Sequence, residues 1–343
     1  MSLRVVILAS RDEALAHGSA QDALAVQALD TQLDALERAL VELGHVPLRV
    51  EAEPDLARTA HTLLARRPEL VFHCVESLEG DARGEALVAD MLARLELACT
   101  GSPARALADA LQKPRARALL EAGGVALPRG FVLEHEQGAL PAWYGPGRYL
   151  VKPAHEDASH GIELESVVST LGALRARVRH VCRTYAQPAL VEEFIEGREF
   201  NVSLLGSGDG ARVLPLAEID FREFPAGQPR LVTYAAKWIE SSAEYRGSPS
   251  VPAQDLEPQL ESRIREAALR AYRALGLAGY GRVDLRLDAH GRPLVLDVNP
   301  NPDLSPDAGL ARAAQREGLS YARLVDTILH DALERAPARA ARG

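Results

Sequence analysis

The sequence predicts a mixed α/β fold that opens with a small doubly wound parallel layer and continues into a strand-rich α+β region. Three observations carry this reading. Short apolar runs alternate with amphipathic helical repeats over the first hundred residues, the pattern of strands and crossover helices. After Gly123-Gly124 strand-like runs dominate. The chain has 343 residues, 47% hydrophobic and 25% charged, enough for two or three domains of roughly 100 to 200 residues each.

Taken in order, residues 3–9 read as the first strand. Residues 21–43 place Leu24, Ala28, Leu29, Leu33, Leu36, Leu40 and Leu43 at helical spacing and stop at Gly44, a C-terminal cap signal. A strand over 46–50, a helix over 55–66, a strand over 70–75 and a helix over 84–97 complete the layer. It lacks GxGxxG after its first strand and is not read as a dinucleotide binder. Helices over 103–111 and 114–122 open the second region. Strands are expected at 130–133, 149–151, 162–164, 189–194, 213–219, 283–287 and 294–298, with a long helix over 256–274. Residues 221–254 have no clean period, and a loop of about thirty residues in a compact enzyme is a lid or binding loop. A helix over 319–333 closes the chain before a disordered tail, 337–343.

Composition excludes several classes. Lys+Arg 39 against Asp+Glu 48 gives a net charge of -9, which argues against nucleic-acid binding through overall charge. No apolar run approaches the roughly 18 to 20 residues of a membrane span, and the first apolar stretch is too short for a signal peptide, so the expected location is the cytoplasm. Cys74, Cys99 and Cys182 are odd in number and far apart, which indicates neither a disulfide framework nor a thiolate zinc site.

Rare residues are more informative. Only Lys113, Lys152 and Lys237 are lysine, and the other 36 basic residues are arginine. A compact ammonium differs from a planar fork, so a lysine that resists replacement suits contact with phosphate oxygens in a confined site. Asn201, Asn299 and Asn301 are the only asparagines, two of them in Asp297-Val298-Asn299-Pro300-Asn301.

There is no Walker loop, GxSxG or HExxH. What remains is Arg282-Val283-Asp284 on one strand, a turn, and a strand ending Asp297-Val298-Asn299. Alternation puts Arg282 and Asp284 on one face, and Asp297 and Asn299 on one face of the neighbouring strand. Two carboxylates and an amide oxygen suit Mg²⁺, which seldom takes a full protein cage. A charged hairpin facing water is the competing reading. Val151-Lys152-Pro153 runs into a polar loop, 154–161, that can close over phosphates, and the acids of segment 190–200 can edge an adenine and hold its ribose.

The order Lys113, Val151-Lys152-Pro153, Glu192 to Glu199, Tyr234-Ala-Ala-Lys237, Gly281-Arg-Val-Asp284 and Asp297-Val-Asn-Pro-Asn-Pro302 resembles the ATP-grasp enzymes, within them the D-alanine-D-alanine ligase-like branch. The resemblance covers nearly the whole chain. It implies an ATP-grasp fold behind a Rossmann-like pre-ATP-grasp domain (1–102), a small subdomain (103–195) and a C-terminal subdomain (196–336) carrying the lid loop. By resemblance, Lys113 and Lys152 contact ATP phosphates, Glu192 and the backbone at Ile195 receive adenine, and Glu199 holds the ribose hydroxyls. Lys237 reaches the γ-phosphate from the lid, Asp284, Asp297 and Asn299 hold one or two Mg²⁺, with Mn²⁺ as an alternative, and Arg282 faces the transferred phosphoryl group. The implied reaction forms an acyl phosphate from a carboxylate and ATP, then an amide by amine attack. Partners implied are small molecules, not nucleic acid or membrane, and a homodimer.

The same resemblance exposes departures. The glycine-rich turn after the first strand and its glutamate are missing from Leu8-Ala9-Ser10-Arg11-Asp12-Glu13, with Glu13 a shifted candidate. The phosphate-loop serine is Ala158, the tyrosine after the lid lysine is Trp238, and the glycine after the asparagine motif is Asp303. Nucleotide-side positions are kept and substrate-side positions changed, which predicts the same reaction on a different acid or amine. His73 or Glu76 is the candidate to orient that substrate, against a plain solvated loop. A genuine D-alanine-D-alanine ligase and a non-catalytic ATP-binding regulator are the alternatives.

Overall fold

The computed structural model describes residues 2–10 and 29–336. The start of the helix expected over 21–43, Glu13 and the tail 337–343 lie outside the described residues.

The first layer runs β1 (Arg4–Ala9), α1 (Leu29–Glu42), β2 (Val46–Glu51), α2 (Leu56–Arg66), β3 (Leu70–Cys74) and α3 (Arg83–Arg94), with parallel strands in the order β2-β1-β3. Gly44 ends α1 as expected: at φ 78° it lets His45 N–H reach back to the Leu40 carbonyl at 2.9 Å. Period-two alternation splits the sheet into two apolar faces. Val5, Ile7 and Phe72 pack with Leu33 and Leu36 of α1, while Val6, Leu8 and Val71 pack with Leu63 of α2 and Val88 and Leu92 of α3.

Two helices, α4 (Ala104–Leu111) and α5 (Lys113–Ala122), lead into an antiparallel sheet of β4 (Gly130–Leu133), β5 (Tyr149–Pro153), β6 (Val167–Val168) and β7 (Ala189–Glu193), in the order β4-β7-β5-β6. The strand expected over 162–164 is instead a single 3₁₀ turn, Leu164–Ser166, running into β6. A helix the sequence reading passed over, α6 (Leu171–Thr184), backs this sheet through Leu174, Val178 and Val181. Its signal was present, since those residues recur at helical spacing behind Thr170, whose hydroxyl caps Ala173 N–H at 3.2 Å.

The largest sheet follows: β8 (Glu199–Leu205), β9 (Arg212–Val213), β10 (Ala217–Ile219), then α7 (Tyr234–Trp238), α8 (Ala243–Arg246), β11 (Ser250–Pro252), α9 (Pro258–Ala274), β12 (Tyr280–Leu287) and β13 (Pro293–Asn299). Its order is β11-β10-β8-β12-β13, with β9 paired to β8. The strand expected over 213–219 is broken at Pro215, which has no N–H to give a ladder. The expected loop 221–254 holds α7, α8 and β11. On the back face Phe200, Val202, Leu204, Val283 and Leu285 bury against Ile264, Ala268 and Ala271 of α9. Of the two last helices, α11 (Tyr321–Arg335) packs on β3 beside α1, and α10 (Gly309–Arg316) packs between α11 and β8 of the largest sheet. No helix among the described residues is long and apolar enough to cross a membrane.

Candidate active site

The front face of the largest sheet carries the charge. Antiparallel register sets Arg282 opposite Asn299 and Asp284 opposite Asp297, and on the other side Asp284 opposite Asn201 and Arg286 opposite Glu199. Residues 282, 284 and 286 are two apart on β12, so their side chains share that face while Val283 and Leu285 fill the core behind it. A bulge makes Leu296 an extra residue of β13 between the partners of Asp284 and Leu285.

Arg282 grips Asp284 with both arms of its fork, at 2.8 and 2.9 Å, and Asn201 donates to the same carboxylate at 2.8 Å. Lys113, the first residue of α5, reaches Asp297 at 3.2 Å and Asp157 at 3.5 Å. Burial works against the Lys113 charge, but Asp297 and Asp157 outweigh it and raise its pKa. In turn, Lys113 and Lys152 overcome the burial of Asp297 and hold its carboxyl low. Lys152, 5% exposed, sits 2.7 Å from Glu192 and 3.3 Å from the carbonyl of the bulge residue Leu296. Arg117 takes the other Glu192 oxygen.

Two segments, 154–161 and 221–254, close the front. Residues 154–161 follow β5, with Ala158 and Ser159 both at positive φ (53° and 64°) and Gly161 at 68°. Gly161 is required: a Cβ there would lie 2.7 Å from Pro153 and 2.9 Å from the Tyr185 ring. From segment 221–254, the Trp238 indole donates to the Ala158 carbonyl at 3.0 Å, and Tyr234 N–H to the Ile162 carbonyl at 2.8 Å. Lys237 lies over the Trp238 ring, 5.4 Å from its centroid. Burial and then the nearby Arg282 lower the Lys237 pKa to about 8.

Opposite these cations stands an acidic wall. Glu76 is exposed just beyond β3, and the protein packed around its carboxyl, with Asp303 beside it, raises it to about 7. Glu85 is raised well above the usual range by burial, although Asn301 donates to it at 2.8 Å. Asn301 is itself fixed by the Tyr280 hydroxyl at 2.8 Å. The structure sets His73 apart from this wall: alternation along β3 turns it to the side of Val71, and burial alone lowers its pKa to about 4. Burial likewise raises the Cys74 thiol to about 12, which makes it a packed thiol.

Thus the structure brings Lys113, Lys152, Lys237, Glu192, Arg282, Asp284, Asp297 and Asn299 to one cleft, with Ile195, Glu199 and Glu76 at its ends. Sequence reasoning missed Asn201, Asp157, Arg117 and Arg286. Asn201 carried a usable signal as one of three asparagines in the chain.

A charged cleft between two antiparallel sheets, faced by ammonium groups on one side and by acids on the last strand pair, is the ATP-grasp arrangement. Residues 147–330 match the family model described as D-ala D-ala ligase C-terminus. A D-alanine--D-alanine ligase of Gluconobacter oxydans is 32% identical over 305 residues, 88% of this chain and 93% of that one. An uncharacterized protein of Sinorhizobium fredii is 33% identical over 86% of this chain and 85% of its own. Among solved structures, the D-alanine--D-alanine ligase of Bacillus anthracis complexed with ATP superposes with a TM-score of 0.70 at 18% identity, covering 97% of this chain and 98% of that one. The chain belongs to the D-alanine-D-alanine ligase family of ATP-grasp enzymes. It is an ATP-dependent, ADP-forming ligase that joins a carboxylate to an amine through a C–N bond.

Proposed function

We propose that the cleft binds ATP along its length and joins an acid and an amine other than two molecules of D-alanine. The observation that carries the phosphoryl-transfer half is the register that sets Arg282 opposite Asn299 and Asp284 opposite Asp297, within reach of the lysines. In this reading Lys113 and Lys152 hold phosphate oxygens, Glu192 and the main chain at Ile195 receive the adenine, and Glu199 receives the ribose hydroxyls. Lys237 meets the γ-phosphate. Asp284, Asp297 and Asn299 fit one or two Mg²⁺, because they are hard oxygen donors brought together on adjacent strands, and such an ion takes its remaining ligands from water and phosphate. When bound, the ion neutralises charge on the transferring phosphoryl group.

The chain's own residues do the rest. Arg282, fixed by its two bonds to Asp284, offers a preorganised cation to the phosphoryl group as the substrate carboxylate attacks it, with ADP leaving. The resulting acyl phosphate is lost to water unless the site is dry, and the Trp238 and Tyr234 bonds to the phosphate loop support closure of the lid over it. Attack by the amine then releases phosphate and forms the amide. The roles of the ligands test separately: Asp297→Asn, still melting cooperatively though at a lower temperature because Lys113 loses a partner, should raise the Mg²⁺ concentration for half-maximal ADP release by about tenfold or more. An unchanged Mg²⁺ requirement removes Asp297 from the ligand set.

The redirected pocket rests on the substrate side. Where the family resemblance expects serine and tyrosine, the lid is tied to the loop through the Trp238 indole and the Ala158 main chain. Asp303, Glu76 and Glu85 set carboxyl groups where an ammonium-bearing substrate would sit, and such a cation would draw the raised Glu76 and Glu85 towards their charged forms. The relatives named D-alanine--D-alanine ligase favour the second reading, that D-alanine is the substrate. The experiment is ADP release with Mg²⁺ and ATP across single and paired D- and L-amino acids and small amines, with products weighed by mass spectrometry. Release with another pair and not with D-alanine supports the redirected ligase, release with D-alanine alone supports the second reading, and binding of ATP without release throughout supports a regulator. We place the reaction in the cytoplasm and expect a homodimer, which sedimentation of the purified chain tests.

A further inference from the structure

Arg286 is 2% exposed and stands on the cleft face of β12, two residues beyond Asp284, yet it takes no part in the phosphoryl-transfer set. Its guanidinium packs on two aromatic rings, 5.2 Å from the centroid of Phe194 and 5.5 Å from that of Phe221. Its donors go to three separate pieces of chain. Nε, at 2.8 Å, and Nη2 both bond Oε2 of Glu199 at the start of β8. Nη1 bonds the Ile195 carbonyl in the turn before β8, and Nη2 also bonds the Arg230 carbonyl in the lid loop at 2.6 Å.

A buried ion pair seldom adds net stability over a well-packed apolar pair of the same size, so this arrangement needs a reason beyond holding the fold. The grip falls on one oxygen of Glu199, which fixes the carboxylate plane and leaves Oε1 to accept from a ligand. The same guanidinium fixes the main chain at both the adenine turn and the lid. We propose that Arg286 is a positioning residue that makes the sugar of the nucleotide and the lid loop depend on one group: it orients Glu199 for the ribose hydroxyls and anchors the lid at Arg230. This rests on the reading of Glu199 as the ribose acid given above. A single ammonium cannot serve these acceptors at once, so the proposal predicts that lysine fails at this position.

The test is binding of ATP, 2′-deoxyATP and 3′-deoxyATP with Mg²⁺ to the full chain by calorimetry, for the wild type, Arg286→Lys and Glu199→Gln. The lid is followed by hydrogen exchange of residues 221–254 at saturating ATP. The wild type should prefer ATP to either deoxynucleotide by about tenfold, the loss of one hydrogen bond to a charged group. Glu199→Gln should erase that preference. Arg286→Lys, still melting cooperatively, should reduce it to about twofold and lose the slowing of exchange that ATP produces in the wild-type lid. Arg286→Met strands a buried carboxylate and is expected to fold poorly, which is why lysine is the informative change. Arg286→Lys with the full preference, where Glu199→Gln has lost it, overturns the role of Arg286 and leaves the ribose reading standing. Glu199→Gln with the full preference overturns the ribose reading itself. ATP slowing of lid exchange that survives in Arg286→Lys overturns the anchoring of the lid.

Discussion

Lys152 is enclosed by Glu192, the Leu296 carbonyl and the sheet, at 5% exposure, so the shape of the cation matters as much as its charge. Lys152→Arg keeps the charge but widens the head group in a packed site, and ADP release should fall by at least about tenfold. Unchanged turnover would remove the argument from lysine scarcity. Lys237 sets a pH limit. Its ammonium is present in the free enzyme only below about 8, against 10.5 for an ordinary lysine, so kcat/KM for ATP should fall as pH rises through about 8. Lys237→Arg should move that limb upward, at whatever cost to the rate. For stability the sign is opposite: between 8 and 10.5 the unfolded chain holds the proton that the folded chain has released, so this group's contribution rises with pH across that window. The lysines were legible because only three stand among 39 basic residues. Asp157, Arg117 and Arg286 were not, since with 48 acids and 36 arginines residue type alone marks none of them.

At the scale of elements, alternation was enough to place Arg282 and Asp284 on one face, because a strand of β12's length has only two faces to choose from. The bulge at Leu296, which turns a carbonyl toward Lys152, has no such signal: an extra residue is visible only once the partner strand is known. The phosphate loop was legible as a loop, but the reason for its glycine was not. Gly161→Ala adds a methyl against Pro153 and Tyr185 at a φ of 68°. It should raise KM for ATP by about tenfold while lowering the melting temperature by several degrees, of the order of 1–3 kcal/mol of strain. A KM equal to the wild type would mean that this loop does not shape the phosphate site. The short strand β6, two residues long, escaped because two residues carry no period.

For the whole molecule, α11 shows where sequence reasoning stops. Its apolar face was readable from spacing, but not that the face belongs to the first sheet, more than 240 residues earlier in the chain. Leu324, Val325, Ile328 and Leu329 are each 1% exposed and share one core with Ile7, Leu36 and Phe72. Ile328→Ala should therefore cost about 2–5 kcal/mol in urea unfolding while leaving KM for ATP unchanged, since its side chain belongs to the core under the first sheet. A loss below about 1 kcal/mol would mean that the helix is a loose appendage.

That shared core also sets a timetable for synthesis. The strands of the first layer are made early, and the helices that cover one of their faces are made last. At roughly 5 to 20 residues per second, β3 waits between about ten seconds and a minute for α11. Throughout that interval Ile7 and Phe72 of the newborn layer have α1 but not α11 to cover them, and apolar surface left open in this way is the kind that favours aggregation.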